Sequence, residues 1–441
     1  MKKEHKMNIT VFGVGYVGLT TGACLANLGH TVLCVDVDQH KIARLQEGKV
    51  PFYEPGLQEL MSQNTRKGKL SFGTSAEEGV KFGEVIFNCV GTPSMENGSA
   101  NLEYVFSVAK TIGENINDYK VIVNKSTVPP GTARKTAAII SDYNKTRIPF
   151  DVVSNPEFLR EGNAIRAFNY PDKIVVGTSS DKPLPIMRRV YSGRMRTYLP
   201  IVETDWETAE LIKYANNSFL ATKISFINEI ANICDRTGAD IKIISMALGL
   251  DYRISPRFLN PGVGYGGSCF PKDVKALIKT AHEKGYDAKL LEEVDALNER
   301  QKKMIVTKIK ERFDHDLRGK SFSVLGLSFK PKTNDMREAP SINIINELLA
   351  AGAIVRVYDP CAIEDAKKIF SDQVTYCASV EESVQGGSAV VLVTEWDEFR
   401  SINFGELAKL MEEKIIFDGR NIYEPELLKD EGFEYIGMGR K

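Results

Sequence analysis

The amino-acid sequence predicts an α/β fold in which two doubly wound parallel sheets are joined by a long central helix. Short apolar runs typical of buried strands alternate with helical patterns over residues 1–203, and the same alternation returns over residues 312–441. Between them, apolar residues recur at helical spacing from residue 204 to residue 237. We therefore predict domains over residues 1–203, 204–311 and 312–441.

Composition excludes several classes of protein. Hydrophobic residues make up 43% of the 441-residue chain and charged residues 26%, as is ordinary for a globular protein with a full core. Lys+Arg (57) and Asp+Glu (58) nearly cancel, which leaves a net charge of −1. This balance provides no electrostatic attraction for nucleic acid or for an anionic membrane surface. We expect neither as a partner.

The seven cysteines indicate a reducing compartment. Their number is odd and they are scattered without a C-x-x-C pair, so neither a disulfide framework nor a zinc site is predicted. Residues 9–28 are largely apolar, but Gly13, Gly15 and Gly18 interrupt them, which argues against a signal or membrane segment. We expect a cytoplasmic protein without a bound metal.

A glycine-rich turn joins the first predicted strand to the first predicted helix. The strand is residues 8–12, the helix is residues 17–28, and Gly13-Val14-Gly15-Tyr16-Val17-Gly18 lies at their junction. A second strand over residues 31–35 ends at Asp36. This is G-x-G-x-x-G in the strand–turn–helix–strand context of a Rossmann-like dinucleotide-binding domain.

Each residue type in this turn has a physical role in holding a dinucleotide. Gly13 allows the tight turn, Gly15 lets the backbone approach a pyrophosphate, and Gly18 lets the helix and the strand pack closely. The helix N-terminus faces the phosphate charge. Asp36 can accept hydrogen bonds from ribose hydroxyls and would repel a 2′-phosphate, so NAD is favoured over NADP. The alternative is a glycine-rich turn without a ligand.

Polar residues follow the later strands of the first predicted sheet. These strands cover residues 84–90, 119–124 and 151–154. Thr92, Thr127, Glu157 and Glu161 come after their ends. Because ligands bind at the carboxyl edge of an open parallel sheet, these four residues are candidates for a site. Each taken alone could equally be a capping or loop residue.

The long predicted helix carries a cation and an amide on one face. Lys213 and Asn217 are four residues apart, so they lie on the same side of the helix. Because their neighbours are apolar, we favour a role in polarising a substrate oxygen over a solvated lysine. Gly238 would end the helix, whose length suits a subunit interface.

A loop over residues 264–273 is the strongest candidate for covalent chemistry. Its sequence is Gly-Tyr-Gly-Gly-Ser-Cys-Phe-Pro-Lys-Asp, and its adjacent glycines, Gly266 and Gly267, allow close backbone approach to a ligand. Cys269 could attack as a thiolate, which Lys272 would favour, while Asp273 could accept or position protons. The alternative is a turn around a buried, inert cysteine. We call residues 264–273 the cysteine loop.

The C-terminal part of the chain predicts the second doubly wound sheet. Its strands are predicted at residues 321–327, 354–358, 389–393 and 414–417, with a helix at 341–351 and a mainly helical segment before them at 281–310. The first turn lacks the full glycine fingerprint, so no second dinucleotide is predicted. Cations near the strand ends suit a phosphorylated ligand, with surface charge as the alternative. They are Lys330, Lys332, Arg337 and Arg420.

Five motifs together resemble the UDP-glucose 6-dehydrogenase family of nucleotide-sugar dehydrogenases. They are Gly-Val-Gly-Tyr-Val-Gly at 13–18, Lys-Ser-Thr-Val-Pro-Pro-Gly-Thr at 125–132, Asn-Pro-Glu-Phe-Leu-Arg-Glu-Gly at 155–162, Glu-Leu-Ile-Lys-Tyr-Ala-Asn-Asn at 210–217 and the cysteine loop. The likeness covers nearly the whole chain and leaves residues 1–7 as an extension. It implies two Rossmann-like domains, a long helix that forms a dimer core, NAD on the first domain and a UDP-sugar mainly on the second.

The resemblance also implies roles for individual residues. Cys269 would be the nucleophile, assisted by Lys213, Asn217, Asp273, Glu157 and Thr127. NAD would be bound by Gly13, Val14, Gly15, Tyr16, Val17, Gly18, Asp36, Lys41, Thr92, Thr127, Glu161, Lys272 and Arg337. UDP-glucose would be bound by Glu157, Phe158, Leu159, Arg160, Glu161, Lys213, Asn217, Phe258, Leu259, Asn260, Pro261, Gly262, Gly266 and Lys330, with Arg420 as a further candidate. Arg253 would reach the substrate of a neighbouring subunit.

The implied activity is oxidation of UDP-glucose to UDP-glucuronate with two NAD, through a thiohemiacetal and a thioester on Cys269. Relatives that oxidise N-acetylhexosamine nucleotides tend to carry Gly-His-Cys-Ile-Pro without the lysine, so this loop favours the glucose substrate. UDP-N-acetylhexosamine, UDP-galactose and GDP-mannose remain alternatives. So do a two-electron 3-hydroxyacid dehydrogenase, which needs no cysteine and yields one NADH, and a non-catalytic NAD-dependent sensor.

Overall fold

The structure of the chain is a computed structural model that describes residues 6–192 and 200–440. The chain divides into two compact units, Met1–Asn216 and Asn217–Lys441. A helix of 32 residues, Trp206–Thr237, runs through the boundary between them. The predicted pair of doubly wound sheets and the long central helix are confirmed, whereas the three domain boundaries stay a prediction.

The first unit is built around an eight-stranded sheet. Its strands are β1 (Asn8–Phe12), β2 (Thr31–Val35), β3 (Leu70–Gly73), β4 (Val85–Asn88), β5 (Lys120–Asn124), β6 (Phe150–Ser154), β7 (Ile174–Thr178) and β8 (Ile201–Thr204). They lie in the order β3-β2-β1-β4-β5-β6-β7-β8. Strands β1 to β6 are parallel, and their order is that of the dinucleotide-binding fold.

The last two strands of this sheet run against the others. β7 pairs antiparallel with β6, and β8 pairs parallel with β7. The sequence analysis placed neither strand, although residues 174–176 are an Ile-Val-Val run. Their direction could not be predicted, because an apolar run does not encode how its connection returns it to the sheet. The result is a parallel sheet extended by an antiparallel edge, an arrangement common in large α/β sheets.

Helices cover both faces of the first sheet. They are α1 (Tyr16–Asn27), α2 (Gln39–Gln46), α3 (Leu57–Arg66), α4 (Ala76–Phe82), α5 (Glu103–Asn115), α6 (Thr132–Tyr143), α7 (Ala164–Asn169), α8 (Leu184–Tyr191) and the beginning of α9 (Trp206–Thr237). Successive strand residues point to opposite faces. Val11 and Phe87 therefore lie in the core on one side of the sheet, and Phe12 and Ile86 lie in the core on the other.

The second unit repeats the same plan with six parallel strands. They are β9 (Ser321–Leu325), β10 (Ile354–Tyr358), β11 (Thr375–Tyr376), β12 (Ala389–Leu392), β13 (Ile415–Asp418) and β14 (Glu434–Gly437). Their order is β11-β10-β9-β12-β13-β14, the order of the first six strands of the other sheet. All neighbouring pairs are parallel, so each strand delivers its following loop to the same edge.

The second unit contains the helices from α10 onward. They are α10 (Ile241–Leu250), α11 (Phe270–Glu283), α12 (Lys289–Arg312), α13 (Pro340–Ala350), α14 (Ile363–Phe370), α15 (Val380–Val384), α16 (Asp397–Arg400), α17 (Phe404–Leu410) and α18 (Pro425–Asp430). Residues 281–310, predicted as mainly helical, contain the end of α11 and most of α12. Gly285 adopts φ of +77° just after α11, a left-handed conformation that ends a helix.

The predicted N-terminal extension is shorter than expected. Met7 is buried, its N–H lies 3.3 Å from His30 Nδ1, and its carbonyl accepts from the Thr31 N–H at 3.0 Å. Met7 is therefore part of the folded unit, whereas residues 1–5 lie outside the described residues. In the described parts of the chain, no helix is both long and apolar enough to cross a membrane.

Candidate active site

The candidate residues that follow β1, β4, β5 and β6 leave the first sheet at one edge. These strands are neighbours and parallel, so their carboxyl ends lie side by side. The Thr92 hydroxyl donates to the Thr127 carbonyl at 3.0 Å, which ties the loops after β4 and β5 together. Thr92 and Glu157 are buried, and Thr127 and Glu161 are half-buried.

Two glycines shape the glycine-rich turn. Gly13 has φ of +88°, and its N–H donates to the Val35 carbonyl at 2.8 Å. A Cβ on Gly18 would lie 1.7 Å from the Gly13 carbonyl oxygen, a clash with backbone that no side-chain movement could relieve. Gly18 therefore permits the close packing of α1 against the turn that the motif predicts.

Gly15 has open space in front of it. A Cβ built on Gly15 would meet no heavy atom within 4 Å. Gly15 is the N-cap of α1, whose first turn contains no acidic residue. The first N–H groups of a helix have no acceptor inside the helix. The residues present therefore fit a pyrophosphate, which would meet free space, N–H donors and the positive end of the helix dipole.

Asp36 lies at the end of β2, beside the same turn. Its Oδ2 accepts from the Val14 N–H at 2.8 Å and from Lys41 Nζ at 3.1 Å, and its Oδ1 accepts from the Asp38 N–H at 3.0 Å. A carboxylate fixed in this position suits the hydroxyls of a ribose and disfavours a 2′-phosphate. Gly15 and Asp36 together fit NAD.

A buried ion pair lies beyond β6. Lys213 Nζ of α9 is 3.1 Å from Glu157 Oε1, and the two side chains are 5% and 7% exposed. The Lys213 ammonium also lies over the Phe158 ring, 5.2 Å from its centroid. Removing one partner of such a pair would leave a buried charge uncompensated. The sequence singled out both residues but gave no sign that they contact each other.

The loop around this ion pair carries the other predicted sugar-binding residues of the first unit. The Leu159 N–H donates to Glu157 Oε2 at 2.5 Å, which fixes the carboxylate from the opposite side. Lys173 Nζ lies 4.5 Å from the Phe158 ring centroid. Arg160 pairs with the exposed Asp172. Phe158 thus lies under two ammonium groups, whereas Arg160 points to an exposed surface.

Two buried acids to which the sequence analysis assigned no role hold the loops of this edge. Glu210 of α9 accepts from the Gly131 N–H at 2.6 Å and from the Ala133 N–H at 2.7 Å, at the start of α6. Glu54 makes the same pair of contacts with the N–H groups of Gly162, at 2.6 Å, and Ala164, at 2.7 Å. Glu210 lies three residues before Lys213 on α9, and this helical spacing could have indicated it. We find no sequence signal for Glu54.

Lys125 is a third buried charge at this edge. Its Nζ donates to Asn155 Oδ1 at 3.2 Å and lies 3.4 Å from the Tyr191 hydroxyl. Burial lowers the pKa of Lys125 to about 8, although neighbouring Cys89 and Glu157 oppose that effect. The side chain therefore stays mostly protonated near neutral pH and anchors the start of the loop at residues 155–162.

In the second unit, Cys269 is the N-cap residue of α11 and is half-buried. Its sulfur lies 3.5 Å from the Ser268 hydroxyl. Asp273, one turn along the helix, is 1% exposed. Its Oδ2 accepts from Asn217 Nδ2 at 2.6 Å, and its Oδ1 accepts from Lys272 Nζ at 2.5 Å. The described residues thus bring Asn217, Lys272 and Asp273 into one network at the helix end that carries the cysteine.

The rest of the cysteine loop is held rigidly by its surroundings. Gly267 has φ of +84°, and its N–H donates to the Arg337 carbonyl at 2.8 Å. A Cβ on Gly266 would lie 2.1 Å from the Glu338 carbonyl oxygen. The buried Asn298 amide accepts from the Tyr265 N–H at 2.9 Å and donates to the Tyr265 carbonyl at 3.0 Å. No cysteine in the described part of the chain forms a disulfide.

The other predicted sugar-binding residues form a segment before the cysteine loop. Leu259 and Pro261 are buried, Asn260 is exposed, and the Gly262 N–H donates to Asn228 Oδ1 at 2.8 Å. Phe258 has φ of +63° and packs near Phe270 at 6.3 Å between centroids. A left-handed conformation is uncommon for a bulky residue and is typical of functional sites.

The predicted cations of the second unit differ in their surroundings. Arg420 is half-buried, and its Nε donates to the Val393 carbonyl at 2.6 Å. Lys330 is half-buried, with its ammonium 5.2 Å from the Phe329 ring centroid. Arg253 and Arg337 are exposed, and they pair with acids two residues before them, Asp251 and Asp335. Lys332 pairs with the exposed Asp397 at 3.2 Å.

Asp359 of the second unit is the positional counterpart of Asp36, but its surroundings differ. It follows β10, as Asp36 follows β2, but it is 2% exposed. Its Oδ2 accepts from the Leu327 N–H at 2.7 Å and from the Trp396 indole N–H at 3.1 Å, and its Oδ1 accepts from the Ala362 N–H at 2.9 Å. The carboxylate is therefore saturated by the chain itself and is covered from a ribose.

Three protein-family models match successive parts of the chain. They describe the UDP-glucose/GDP-mannose dehydrogenase family: its NAD binding domain matches residues 7–194, its central domain residues 207–300, and its UDP binding domain residues 323–425. The NAD binding model covers the glycine-rich turn, and the central model covers the cysteine loop.

Individual relatives match over nearly their full lengths. The UDP-glucose 6-dehydrogenase YwqF of Bacillus subtilis is 46% identical over 435 residues, which span 99% of this chain and 98% of that protein. The UDP-glucose 6-dehydrogenase of Rhizobium meliloti is 43% identical, over 98% of this chain and all of that protein. Among solved structures, a UDP-glucose dehydrogenase from Pyrobaculum islandicum superposes with a TM-score of 0.93 at 36% identity, covering 100% of this chain and 99% of that one.

Proposed function

The chain belongs to the UDP-glucose/GDP-mannose dehydrogenase family, and we propose that it oxidises UDP-glucose to UDP-glucuronate with two molecules of NAD. The observation that carries the proposal is the cysteine at the start of α11, next to the network of Asn217, Lys272 and Asp273. A two-electron alcohol dehydrogenase has no need of a nucleophile at this position. Relatives at 46% and 43% identity named UDP-glucose 6-dehydrogenase support the choice of substrate.

The glycine-rich turn and Asp36 are the groups that would hold NAD, with the pyrophosphate in the open space at Gly15 and the adenosine ribose at Asp36. NAD, when bound, accepts a hydride in each of the two oxidation steps. Thr92 and Thr127, which a hydrogen bond joins at the same edge of the sheet, belong to the proposed NAD-binding set. Glu161, Lys272 and Arg337 complete the proposed NAD-binding set.

The first oxidation of the sugar gives an aldehyde. Cys269 allows the second oxidation to occur without release of that aldehyde. Its thiolate adds to the aldehyde carbon and forms a thiohemiacetal, in which the carbon again carries a hydrogen that can leave as hydride. Loss of that hydride leaves a thioester on Cys269. Attack by water then breaks the carbon–sulfur bond, giving UDP-glucuronate and restoring the thiol.

The buried polar groups supply charge and proton transfer. The Lys213 ammonium and the Asn217 amide stabilise the oxygen on the reacting carbon, whose negative charge grows in each tetrahedral stage. Asp273 and Glu157 hold and deprotonate the attacking water, assisted by Thr127. The loop at residues 157–161 and the segment at residues 258–262 bind the sugar nucleotide, together with Gly266, Lys330 and Arg420.

Replacement of the nucleophile tests the covalent route. We expect Cys269→Ser to lose conversion of UDP-glucose to UDP-glucuronate, whereas the unaltered protein forms two NADH for each sugar consumed. Cys361→Ser is the matched control, because Cys361 is also a half-buried thiol of the second unit. NADH absorbance and product analysis by mass spectrometry give the yield. Full turnover to the acid by Cys269→Ser would refute the thiohemiacetal and thioester.

A panel of nucleotide sugars tests the choice of hexose. A solved structure of a UDP-D-ManNAc dehydrogenase from Pyrococcus horikoshii superposes with a TM-score of 0.86 at 27% identity, covering 98% of this chain and 99% of that one, so the same fold serves other sugars. We expect UDP-glucose to give the highest kcat/KM among UDP-glucose, UDP-galactose, UDP-N-acetylmannosamine and GDP-mannose. A higher value for any of the others would move the substrate assignment to it.

We further propose that the protein forms a homodimer through α9 and α10. Phe219, Phe226 and Ile233 recur every seven residues on α9 and are 65%, 48% and 49% exposed. Met246 and Leu250 of α10 are 58% and 80% exposed. Large apolar residues concentrated on a helical surface mark interaction sites. A second copy would cover them, and Arg253, just beyond α10, would reach the substrate of that copy.

Charge on this face should separate the subunits. We expect the double variant Phe219→Glu/Phe226→Glu to sediment as a monomer where the unaltered protein sediments as a dimer. Ile369→Glu is the control, since Ile369 is 40% exposed but belongs to α14. Equal masses for the double variant and the unaltered protein in analytical ultracentrifugation would place the interface elsewhere.

A further inference from the structure

Glu54 is a buried acid that the proposed mechanism does not use. It lies in the connection between α2 and α3 and is 5% exposed. A buried carboxylate is costly unless its oxygens accept hydrogen bonds. The groups that donate to Glu54 therefore indicate which parts of the protein it serves.

Three donors converge on this carboxylate from two distant parts of the first unit. Oε2 accepts from the Gly162 N–H at 2.6 Å and from the Tyr16 hydroxyl, and Oε1 accepts from the Ala164 N–H at 2.7 Å. The Tyr16 oxygen also accepts from the Gly162 N–H at 3.2 Å. Tyr16 belongs to the glycine-rich turn, and Gly162 ends the loop at residues 155–162. Glu54 therefore joins the two segments directly.

The loop depends on these contacts for its shape. Gly162 has φ of +76°, and the N-cap residue of α7, Asn163, makes no capping bond with its own side chain. Ala164 is fully buried, so its N–H has no access to water. Without Glu54, N–H groups on both sides of Asn163 would lose their charged acceptor, which is a larger loss than that of a neutral hydrogen bond.

The Tyr16 side chain, through which Glu54 contacts the glycine-rich turn, is also held in place. The Tyr16 ring lies 5.2 Å from the Phe52 ring, centroid to centroid. Burial, and then the hydrogen bond to Glu54, raise the pKa of the Tyr16 phenol well above its ordinary value. The phenol therefore stays protonated at any physiological pH, and its O–H group donates a hydrogen bond to the carboxylate.

We propose that Glu54 is a positioning residue that fixes the loop at residues 155–162 against the glycine-rich turn and so sets the affinity for the nucleotide sugar. The inference rests on the proposed function, because the role of that loop in substrate binding is part of it. Glu54 belongs to neither the proposed NAD-binding set nor the proposed substrate-binding set. It acts through Gly162 and Ala164 on the loop, and through Tyr16 on the turn.

Three variants test this role. Glu54→Gln keeps the size of the side chain but replaces one acceptor oxygen with an NH₂ group, which cannot accept from an N–H. Tyr16→Phe removes only the hydroxyl and leaves the carboxylate in place. Glu59→Gln is the matched control, because Glu59 is an exposed acid in the first turn of α3. Hydrogen–deuterium exchange reports on the loop, and steady-state kinetics report on the substrate.

In Glu54→Gln we expect amide exchange at residues 158–164 and the KM for UDP-glucose each to rise about tenfold, as loss of a charge-assisted hydrogen bond predicts. Tyr16→Phe should move both quantities in the same direction by a smaller factor, and Glu59→Gln should move neither. Unchanged exchange or an unchanged KM in Glu54→Gln would overturn the proposal. Should Glu54→Gln not fold, Tyr16→Phe tests the proposal through the same two measurements, amide exchange and the KM for UDP-glucose.

The exchange measurement separates this inference from the proposed function. It needs no turnover, so it tests whether Glu54 holds the loop even in the absence of a substrate. If the unaltered protein did not oxidise UDP-glucose, the proposed function would fail, and with it the consequence for the KM. If the unaltered protein turned over normally and Glu54→Gln exchanged no faster, only the role of Glu54 would fail.

Discussion

At the scale of single residues, Gly15 and Gly18 have different reasons to be glycine although they share one motif. Gly18 faces the Gly13 carbonyl, 1.7 Å from where a Cβ would be, so the folded chain itself excludes a side chain. Gly15 faces open space at φ of −70°, a conformation that any residue adopts. Only a bound phosphate would make a side chain at Gly15 unfavourable.

This difference predicts opposite outcomes for two alanine variants. Gly15→Ala should fold normally, since replacing glycine at an N-cap costs less than about 1 kcal/mol, and should weaken NAD binding about tenfold or more. Gly18→Ala should lower the melting temperature strongly. Thermal melts and NAD titration by calorimetry separate the two effects. Unaltered NAD affinity in Gly15→Ala would show that no phosphate approaches this residue.

The buried pair of Lys213 and Glu157 predicts a separation of stability from activity. Lys213→Met leaves the Glu157 charge without its partner, which should cost about 3–5 kcal/mol of stability and lower kcat about 100-fold or more. The double variant Lys213→Met/Glu157→Gln should recover the melting temperature but not the activity. Recovery of turnover in the double variant would mean that Lys213 serves only to neutralise Glu157.

At the scale of elements, Glu210 connects α9 to the start of α6. Its carboxylate accepts hydrogen bonds from two N–H groups there, and the Glu210 residue is only 1% exposed. Burial raises the pKa of Glu210 from its ordinary value of 4.5 to about 7, against the opposing effect of those hydrogen bonds. Between these two values the folded chain holds a proton that the unfolded chain has released.

The stability should therefore change with pH in a defined direction. The contribution of Glu210 is fully present below about pH 4.5 and is lost as the pH rises through about 7. Relative to the unaltered protein, Glu210→Gln should gain up to about 3 kcal/mol between pH 5 and pH 8. Glu229→Gln, at an exposed position of α9, is the control. Denaturant unfolding at several pH values measures the difference, and parallel curves would contradict it.

Secondary structure was predicted well wherever the signal is local. β1, β2 and β10 have the bounds that their apolar runs indicate, and α9 begins two residues after the predicted position. Residues 281–310 were predicted as mainly helical without a located break, because glycine inside a helical pattern is compatible with a break or with a continuous helix. The antiparallel direction of β7 was not predicted, because it depends on pairing with β6, a contact that no run of residues encodes.

At the scale of the whole molecule, two sheets of the same order have different surfaces at their first turns. In the first unit, the glycine-rich turn leaves space at Gly15, and Asp36 lies beside it. In the second unit, Asp359 is covered and its oxygens are saturated by N–H groups of the chain. The same topology therefore supports binding of NAD on one sheet and leaves the other for a different ligand.

This division predicts separate footprints for the two ligands. NAD added alone should slow amide exchange mainly at residues 13–18 and 36–41, because the proposed contacts lie there. UDP added alone should slow exchange mainly at residues 258–266 and around Lys330. Hydrogen–deuterium exchange with each ligand measures both footprints. Protection of residues 13–18 by UDP alone, without protection of residues 258–266, would contradict the division.

The sequence by itself determined the two doubly wound sheets, the long helix, the dinucleotide turn and the cysteine loop, because each depends on residues close together in the chain. Only the tertiary structure decided which buried acid holds which loop. Glu54 meets Gly162 across 108 positions, and Asn217 meets Asp273 across 56. Such partners are set by how the elements pack, since a hydrogen bond depends on the distance between two atoms and not on their separation along the chain.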